Sequence, residues 1–313
     1  MADTIKKIAT RESYGNALKE LAEEFPQLVV LDADLAAATK TSIFKKAYPD
    51  RHIDCGIAEC NMVGIAAGLA SVGKIPFVSS FAMFAAGRAF EQVRNSVGYP
   101  HLNVKIGATH AGITVGEDGA THQCNEDLAL MRTIPGMVVM CPSDDVEAKA
   151  AVRAALEYEG PVYIRFGRAA VPVINDKPDY KFEIGKGTVV REGSDVTIVA
   201  TGICVDSAMG AAEKLAAEGI SAEVINICTI KPLDEEIIIN SAKKTGKVVT
   251  VEEHTVIGGL GSAVCEALSS NYPTPVKRLG MQDVFGESGS ASALVQKYGL
   301  DAEGVYKSVK EFV

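Results

Sequence analysis

The feature that most constrains this fold is a steady alternation of short β-branched runs with alanine-rich helical stretches along the 313 residues. In the first half, five apolar runs are predicted to be strands: 28–31, 75–78, 104–106, 137–140 and 162–164. The stretches predicted to be helices are 13–24, 61–70, 87–97, 126–132 and 146–157. Apolar strands separated by helices indicate a parallel sheet covered by helices on both faces.

The rhythm breaks over residues 168–183, which contain Pro172 and Pro178 and are predicted to be an exposed linker. It then restarts, with strands predicted at 196–200, 222–227, 247–251 and 275–279. Helices are predicted at 207–218, 234–244, 261–269, 290–298 and 301–311. The chain is therefore predicted to be an α/β protein of two three-layer α/β/α domains, a mostly parallel sheet followed by a smaller domain.

Composition excludes several classes of protein. The net charge of −9 argues against nucleic-acid binding, which relies on Lys and Arg meeting phosphates. The longest weakly polar stretches, 63–73 and 75–87, fall short of the roughly 20 residues that a spanning helix needs, so we expect no membrane segment. Seven cysteines without a Cys-x-x-Cys pair fit a reduced cytoplasm, where most would be small core residues.

Ligands of open α/β sheets collect beyond the carboxyl ends of the strands, so residues that follow strands are the candidates. Asp34 follows the first strand and either projects into this crevice or caps a turn. Glu59 lies at the start of a small-residue helix, flanked by Ile57, Ala58 and Met62. Dehydration there would favour a neutral, hydrogen-bond-donating carboxyl, whereas the helix dipole favours the anion. The ordinary alternative is a favourable helix-start charge.

Aromatic residues are scarce, yet Phe77, Phe81 and Phe84 cluster just after a predicted strand. They either form a stacking wall for a flat heteroaromatic ring or belong to the core.

A glycine-rich stretch, 107–123, contains His110, Asp118 and His122 and is predicted to be a long irregular loop. Its residues suit hydrogen bonding to hydroxyls and proton shuttling better than metal binding, since no histidine pair at helical spacing supports a zinc site. Further on, Arg165 and Arg168 follow a strand and suit phosphate or carboxylate recognition, with a surface ion pair as the alternative. The run 258–262 looks like an anion-binding helix start and is interpreted as a structural turn.

Four ordered motifs resemble the transketolase family, in particular its C-terminal half as found in split transketolases. They are Ile-Ala-Glu-Cys-Asn-Met at 57–62, Ser-Phe-Ala-Met-Phe at 80–84, Gly-Glu-Asp-Gly-Ala-Thr-His-Gln at 116–123 and Thr-Ile-Lys-Pro-Leu-Asp at 229–234. The resemblance implies a pyrimidine-binding domain over 1–175, a linker over 176–185 and a transketolase C-terminal domain over 186–313.

The resemblance also implies that thiamine diphosphate is the cofactor and that two-carbon ketol transfer is the reaction, within the pentose phosphate pathway of carbohydrate metabolism. Glu59 matches the catalytic glutamate, which contacts N1′ of the aminopyrimidine and activates the cofactor in its protonated form. Phe84, with Phe81 beside it, matches the aromatic wall, and Asp34 matches an acid at the cofactor interface.

Other matched residues concern the sugar, which the family usually takes in phosphorylated form. His110 and His122 resemble catalytic and substrate-binding residues at the carbonyl and hydroxyl groups, and Asp118 resembles the acid that reads a hydroxyl. Arg168 lies where the family has a phosphate-binding arginine. Ala38 replaces a serine that usually contacts the sugar phosphate, so a preference for phosphosugars is less firmly implied than thiamine chemistry.

No Gly-Asp-Gly motif is present, although the family uses one to hold the metal and the diphosphate. The resemblance therefore implies a partner chain, an N-terminal transketolase subunit that supplies the pyrophosphate domain and holds Mg²⁺ or Ca²⁺, in an α2β2 heterotetramer. The alternatives are a beta subunit of a 2-oxo-acid dehydrogenase, a synthase of deoxyxylulose phosphate and a non-catalytic α/β partner subunit.

Overall fold

The computed structural model describes residues 6–313. Their strands are β1 (Lys7–Ala9), β2 (Leu28–Asp32), β3 (His52–Asp54), β4 (Ile75–Phe81), β5 (Lys105–Thr109), β6 (Val138–Met140), β7 (Val162–Arg165), β8 (Ala170–Pro172), β9 (Thr188–Arg191), β10 (Val196–Ala200), β11 (Ala222–Asn226), β12 (Thr229–Lys231), β13 (Val248–Thr255) and β14 (Val276–Met281). Their α-helices are α1 (Thr10–Leu21), α2 (Ala36–Thr39), α3 (Ser42–Ala47), α4 (Glu59–Ser71), α5 (Phe90–Gln92), α6 (Asp127–Arg132), α7 (Asp145–Glu157), α8 (Cys204–Ala217), α9 (Glu235–Thr245), α10 (Leu260–Asn271), α11 (Ala291–Lys297) and α12 (Ala302–Phe312).

The first sheet has seven strands in the order β12-β6-β7-β5-β4-β2-β3. Its six strands from the first half of the chain run parallel. Every residue of β2 and of β5 is buried, as expected for strands inside a covered parallel sheet, although β5 includes the polar Lys105 and Thr109. The five strands predicted for the first half all lie in this sheet, and their parallel arrangement is confirmed.

The second sheet has five strands in the order β14-β13-β10-β11-β9, with the edge strand β9 antiparallel and the others parallel. Helices α8 and α12 pack together beside it, and their apolar faces join the buried strands in one core. The predicted fold class, two α/β domains with a mostly parallel first sheet, is confirmed.

The helix predicted over 87–97 is present, but most of it is π-helical and only its middle turn is α-helical. Two π-helical segments, Met83–Arg88 and Val93–Gly98, flank the short helix α5. Backbone bonds five residues apart show the wider turn: Ala89 N donates to Phe84 O at 3.1 Å. π-Turns are frequent at functional sites, and apolar spacing alone cannot distinguish them from α-turns.

The expectation of an exposed linker over 168–183 is wrong for its first part. Strand β8 lies in this part and pairs antiparallel with β1. The sequence patterns indicated neither of these two strands. Asn175 is buried, and the Asp144 carboxylate accepts the backbone N–H groups of Ile174 and Asn175 at 2.7 Å each. Asp176–Asp179 form the longest run of consecutively exposed residues in this stretch, so the open segment is shorter than the predicted linker.

Strand β12 belongs by position to the second half of the chain, yet it extends the first sheet, antiparallel to β6. Lys231 holds it there by donating to the carbonyl oxygens of Arg132 and Ile134, at 2.8 and 2.6 Å. Three residues later, the Asp234 side chain caps α9 by accepting the N–H of Ile237. The motif at 229–234 thus joins the two domains.

Across residues 6–313, none of the helices combines the length and the apolar character needed to traverse a bilayer.

Candidate active site

The carboxyl ends of the parallel strands meet at one edge of the first sheet and bring the candidate residues to that edge. Phe81 ends β4, His110 follows β5, and Arg168 lies three residues beyond β7. Asp34 follows β2, and Glu59 begins the helix that comes after β3. Residues far apart in sequence therefore gather as expected for an open α/β sheet.

Glu59 is the first residue of α4 and its side chain is only 3% exposed. Its burial agrees with the dehydrated carboxyl expected from its apolar neighbours. Arg88 Nη1 donates to Glu59 Oε2 at 2.9 Å. The buried carboxyl of Glu59 is therefore held by a guanidinium at the start of α4.

Arg88 was not identified from the sequence, yet it links two candidate residues. Its guanidinium carbon lies 4.5 Å from the ring centroid of Phe84, while the same group donates to Glu59. The π-turn over Met83–Arg88 places both side chains on one face. The sequence did contain a signal for Arg88, because it is the one cationic residue between residues 75 and 93.

Phe81 and Phe84 form a ring cluster with the two histidines, called the ring cluster below. The Phe81 ring stacks on His110 at 3.9 Å and lies near-parallel to Phe84 at 5.9 Å, between centroids. His122 meets the edge of Phe84 at 5.5 Å. Phe77 instead packs on Tyr14 within the core, so the core interpretation holds for Phe77 and not for the half-buried Phe84.

His110 is buried, and both of its ring nitrogens have partners. Arg11 Nη1 lies 3.0 Å from Nε2, and Thr109 Oγ1 lies 2.9 Å from Nδ1. Since a guanidinium can only donate, Nε2 accepts and Nδ1 carries the hydrogen. Burial, together with the charges of Arg11 and Arg168, lowers the pKa of His110 to about 3. This geometry favours the predicted hydrogen-bonding role over the proton-carrying one.

Arg11, on α1, is a second residue that sequence reasoning missed. It donates to the carbonyl oxygen of Ala38 at 2.9 Å as well as to His110. The segment after β2, where the sequence departs from the transketolase pattern, is therefore tied to the ring cluster through a guanidinium.

The stretch predicted to be an irregular loop contains 3-10 helical turns over Ile113–Asp118, interrupted by a kink at Gly116 with φ 84°. Asp118 ends this helix and is exposed, while His122 is half-buried with Thr121 Oγ1 at 2.9 Å from its Nδ1. Gly112 and Gly119 bound the 3-10 helix with φ values of 76° and 74°, a region that favours glycine. The glycines that suggested irregularity therefore form the ends and the kink of this 3-10 segment.

Arg168 and Asp34 lie at the periphery of the candidate site. Arg168 Nη1 donates to the carbonyl oxygen of Val115 and is 3.3 Å from Glu117 Oε2, which fixes it against the 3-10 helix. Asp34 is exposed at φ 60°, and its backbone N–H donates to Asp54 Oδ1 at 3.1 Å, so it occupies a turn and still presents its carboxylate. Arg165 is not a ligand group, because it is buried against Asp127 at 2.9 Å.

A cleft of about 960 Å³ opens beside the ring cluster. Its wall from the first domain includes Phe84, Arg88 and Thr121, and its wall from the second includes Val284 and Phe285. Within residues 6–313, no group of three or more histidine, cysteine or acidic side chains is arranged to hold a metal ion.

The glycine turn at 258–262 binds an anion that the chain itself supplies. The buried Glu252 carboxylate accepts the N–H groups of Leu260 and Gly261, at 2.7 and 2.8 Å, at the start of α10. The turn is therefore structural, as interpreted from the sequence.

Comparison with known proteins agrees with this geometry. Residues 6–173 match the family described as transketolase, pyrimidine binding domain, and residues 185–305 match transketolase, C-terminal domain. The chain is 52% identical over 303 residues to a transketolase C-terminal section from Methanocaldococcus jannaschii, covering 96% of this chain and 95% of that protein. It is 48% identical over 301 residues to the 6-deoxy-6-sulfo-D-fructose transketolase subunit SqwH of Clostridium sp., covering 96% and 93% of the two chains.

Solved structures give the same result. A split-gene transketolase, an inactive β4 tetramer, superposes with a TM-score of 0.90 and 56% identity, covering 98% of each chain. A Pichia stipitis transketolase in complex with sedoheptulose 7-phosphate superposes with a TM-score of 0.84 and 26% identity, covering 98% of this chain and 46% of that one. The chain belongs to the transketolase family and corresponds to its C-terminal half, a pyrimidine-binding domain followed by the C-terminal domain.

Proposed function

We propose that this chain is the C-terminal subunit of a thiamine-diphosphate-dependent transketolase, which transfers a two-carbon ketol unit from a phosphorylated ketose to an aldose. One observation carries the proposal: the buried Glu59 carboxylate and the face of the Phe84 ring lie within reach of a single guanidinium, at the mouth of the interdomain cleft. A flat ring with a basic edge nitrogen could use both groups at once, by stacking on the phenyl face and meeting the carboxyl.

The residues present fit the aminopyrimidine end of thiamine diphosphate. Phe84, backed by Phe81, would hold the ring, Glu59 would meet its edge nitrogen, and Asp34 would lie at the interface. When bound, the cofactor supplies an acidic carbon that becomes the nucleophile toward a ketose carbonyl. The part of this chain is to orient the ring and to hold or release a proton at Glu59 Oε.

Arg88 has to leave Glu59 for that contact to form. The Arg88 side chain is 50% exposed and can turn toward solvent, whereas Glu59 is 3% exposed, so the incoming ring nitrogen has to replace the hydrogen bond that the buried carboxyl loses.

Four polar residues are proposed to bind the sugar: the two histidines of the ring cluster, His110 and His122, and the nearby Asp118 and Arg168. The neutral His110 and the half-buried His122 would make hydrogen bonds at the carbonyl and hydroxyl groups, and the exposed Asp118 would bind a hydroxyl. Arg168, which is 37% exposed, offers a cation for the anionic end of the sugar. Relatives are named for a sulfonated fructose and for apulose 4-phosphate, so an anionic sugar suits the site, while Ala38 leaves the choice of anion to experiment.

We further propose a partner subunit that carries the pyrophosphate domain and holds Mg²⁺ or Ca²⁺, in an α2β2 assembly. The support is that the chain covers 95% of the M. jannaschii C-terminal section but only 49% of mouse transketolase. The proposed domains are 1–175 and 186–313, joined by a linker at 176–185, within which Asp176–Asp179 are exposed.

The test is reconstitution with an N-terminal transketolase subunit, followed by ketol transfer from fructose 6-phosphate and from 6-deoxy-6-sulfofructose. We expect Glu59→Gln to lower turnover by about 10²–10⁴-fold, the typical contribution of a positioned acid–base group, while subunit association is retained. Glu23→Gln, at an exposed acid on the loop before β2, is the control. Unchanged turnover in Glu59→Gln would favour the non-catalytic partner subunit, and activity toward 2-oxo acids would favour the dehydrogenase alternative.

A further inference from the structure

The loop that follows β5, residues 110–122, is called the substrate loop here because it carries His110, Asp118 and His122. It is anchored on the second domain. Ile113 is fully buried and belongs to the core of the second domain, together with Val196, Ile198 and Leu294. An apolar side chain of the first domain therefore completes the packing of the other domain.

Glu253, on β13, makes the central polar contact with this loop. Its Oε1 accepts the backbone N–H of Thr114 at 2.6 Å, and the carboxylate is buried. Gly112 passes so close that a Cβ there would overlap the carboxyl carbon of Glu253, and Gly112 also has φ +76°. The loop backbone is therefore fitted to this one side chain.

The first sheet holds Glu253 from the other side. Arg165 Nη2 donates to the carbonyl oxygen of Glu253 at 2.7 Å, and Arg165 Nη1 lies 3.9 Å from its carboxylate. Arg165 is itself fixed by Asp127 at 2.9 Å. Because every member of this network is buried, Glu253 has little freedom to move.

A second contact reinforces the first. Gln123 Nε2 donates to the carbonyl oxygen of Glu287 at 2.8 Å and to that of Gly116 at 3.2 Å. Side chains at Gly286 and Gly119 would overlap Gln123 and Ser288 respectively. The turn at 286–289 of the second domain thus lies directly against the substrate loop.

We propose that the C-terminal domain is the positioning element for the substrate loop, and that Glu253 is the positioning residue that sets where Asp118 and His122 stand relative to Phe84. The role of this loop in substrate binding rests on the proposed function. The contact by which Glu253 holds the loop in place does not depend on that function. Specificity for the sugar would then depend on a residue that touches neither sugar nor cofactor.

The first experiment measures hydrogen–deuterium exchange of the full chain without partner. Glu253→Ala removes the acceptor of the Thr114 N–H, and Glu253→Asp withdraws the carboxylate by one methylene while keeping its charge. We expect amide exchange over residues 112–118 to rise by about tenfold or more in both variants, because local opening becomes easier. The matched control is Glu252→Gln, an equally buried neighbour whose carboxylate serves α10, and it is expected to leave this exchange unchanged.

The second experiment measures kinetics in the reconstituted complex. We expect Glu253→Asp to raise the sugar KM by about tenfold, with the apparent affinity for thiamine diphosphate within about twofold of wild type, whereas Glu252→Gln changes neither. Unchanged loop exchange in both Glu253 variants, or an equal rise in Glu252→Gln, would overturn the proposal. An inactive wild-type complex would refute the proposed function instead and leave the exchange experiment to decide the coupling.

Discussion

His110 gives the sharpest quantitative prediction, because its environment disfavours the protonated imidazole. Burial comes first among the causes, followed by the charges of Arg11 and Arg168, and together they lower its pKa from 6.5 to about 3. The unfolded chain therefore binds more protons than the folded chain between these two values, so stability falls as the pH drops from about 6.5 toward 3.

The size of the effect follows from the two pKa values. Between about pH 7.5 and 5.0, a histidine with a pKa of 6.5 when unfolded and about 3 when folded removes about 2 kcal/mol from the free energy of unfolding. His110→Gln cannot take up this proton. The variant should therefore lose about 2 kcal/mol less than wild type over the same pH interval.

The measurement is urea unfolding of the isolated chain at several pH values, with the variant compared to wild type at each pH. His101→Gln, at an exposed histidine, is the control and should keep the wild-type slope. Parallel pH profiles for wild type and His110→Gln would refute the reasoning, as would an NMR titration in which the His110 ring takes up its proton near pH 6.5.

Three further outcomes are expected. Phe84→Leu should weaken thiamine diphosphate binding in the complex by about tenfold, since an aromatic pair contributes about 0.5–1.5 kcal/mol beyond area; titration calorimetry checks this, and equal affinity would contradict the stacking role. Arg165→Leu should lower the free energy of unfolding by about 3–5 kcal/mol, because it leaves Asp127 buried without its cation; a loss below about 1 kcal/mol in urea titration would contradict this. Asp234→Ala should cost about 1 kcal/mol through the lost cap of α9, measured in the same way, and a neutral result would show that the cap is replaced.

Sequence reasoning located the fully buried strands and missed the marginal ones. Strand β2 is buried at every residue and is recognisable in the sequence by its run of apolar residues. Strand β3 is half-buried or exposed and only three residues long, so it gives no such run. Strands β1 and β8 are equally short, and each exists because the other offers an edge. Such pairing depends on a partner more than 150 positions away, which local patterns do not record.

The candidate site also contains residues that the sequence indicated and residues that it did not. Glu59, Phe84 and His110 were candidates because each follows a strand or begins a helix, and the resemblance to transketolases then implied their roles. Arg88 and Glu253 were missed, since their importance comes from what they touch. The bond from Glu253 to Thr114 spans 139 positions, and only the folded chain shows it.

Strand β12 has a consequence for how this polypeptide could be divided. Because Thr229–Lys231 covers the rim of β6, a fragment ending near residue 185 would present Val138–Met140 with unpaired amide and carbonyl groups. An exposed edge strand with unpaired backbone groups can pair with a strand of another chain, which leads to self-association. The first domain therefore depends on a strand encoded within the second half of the chain, and a gene split between the two domains would leave its sheet without an edge strand.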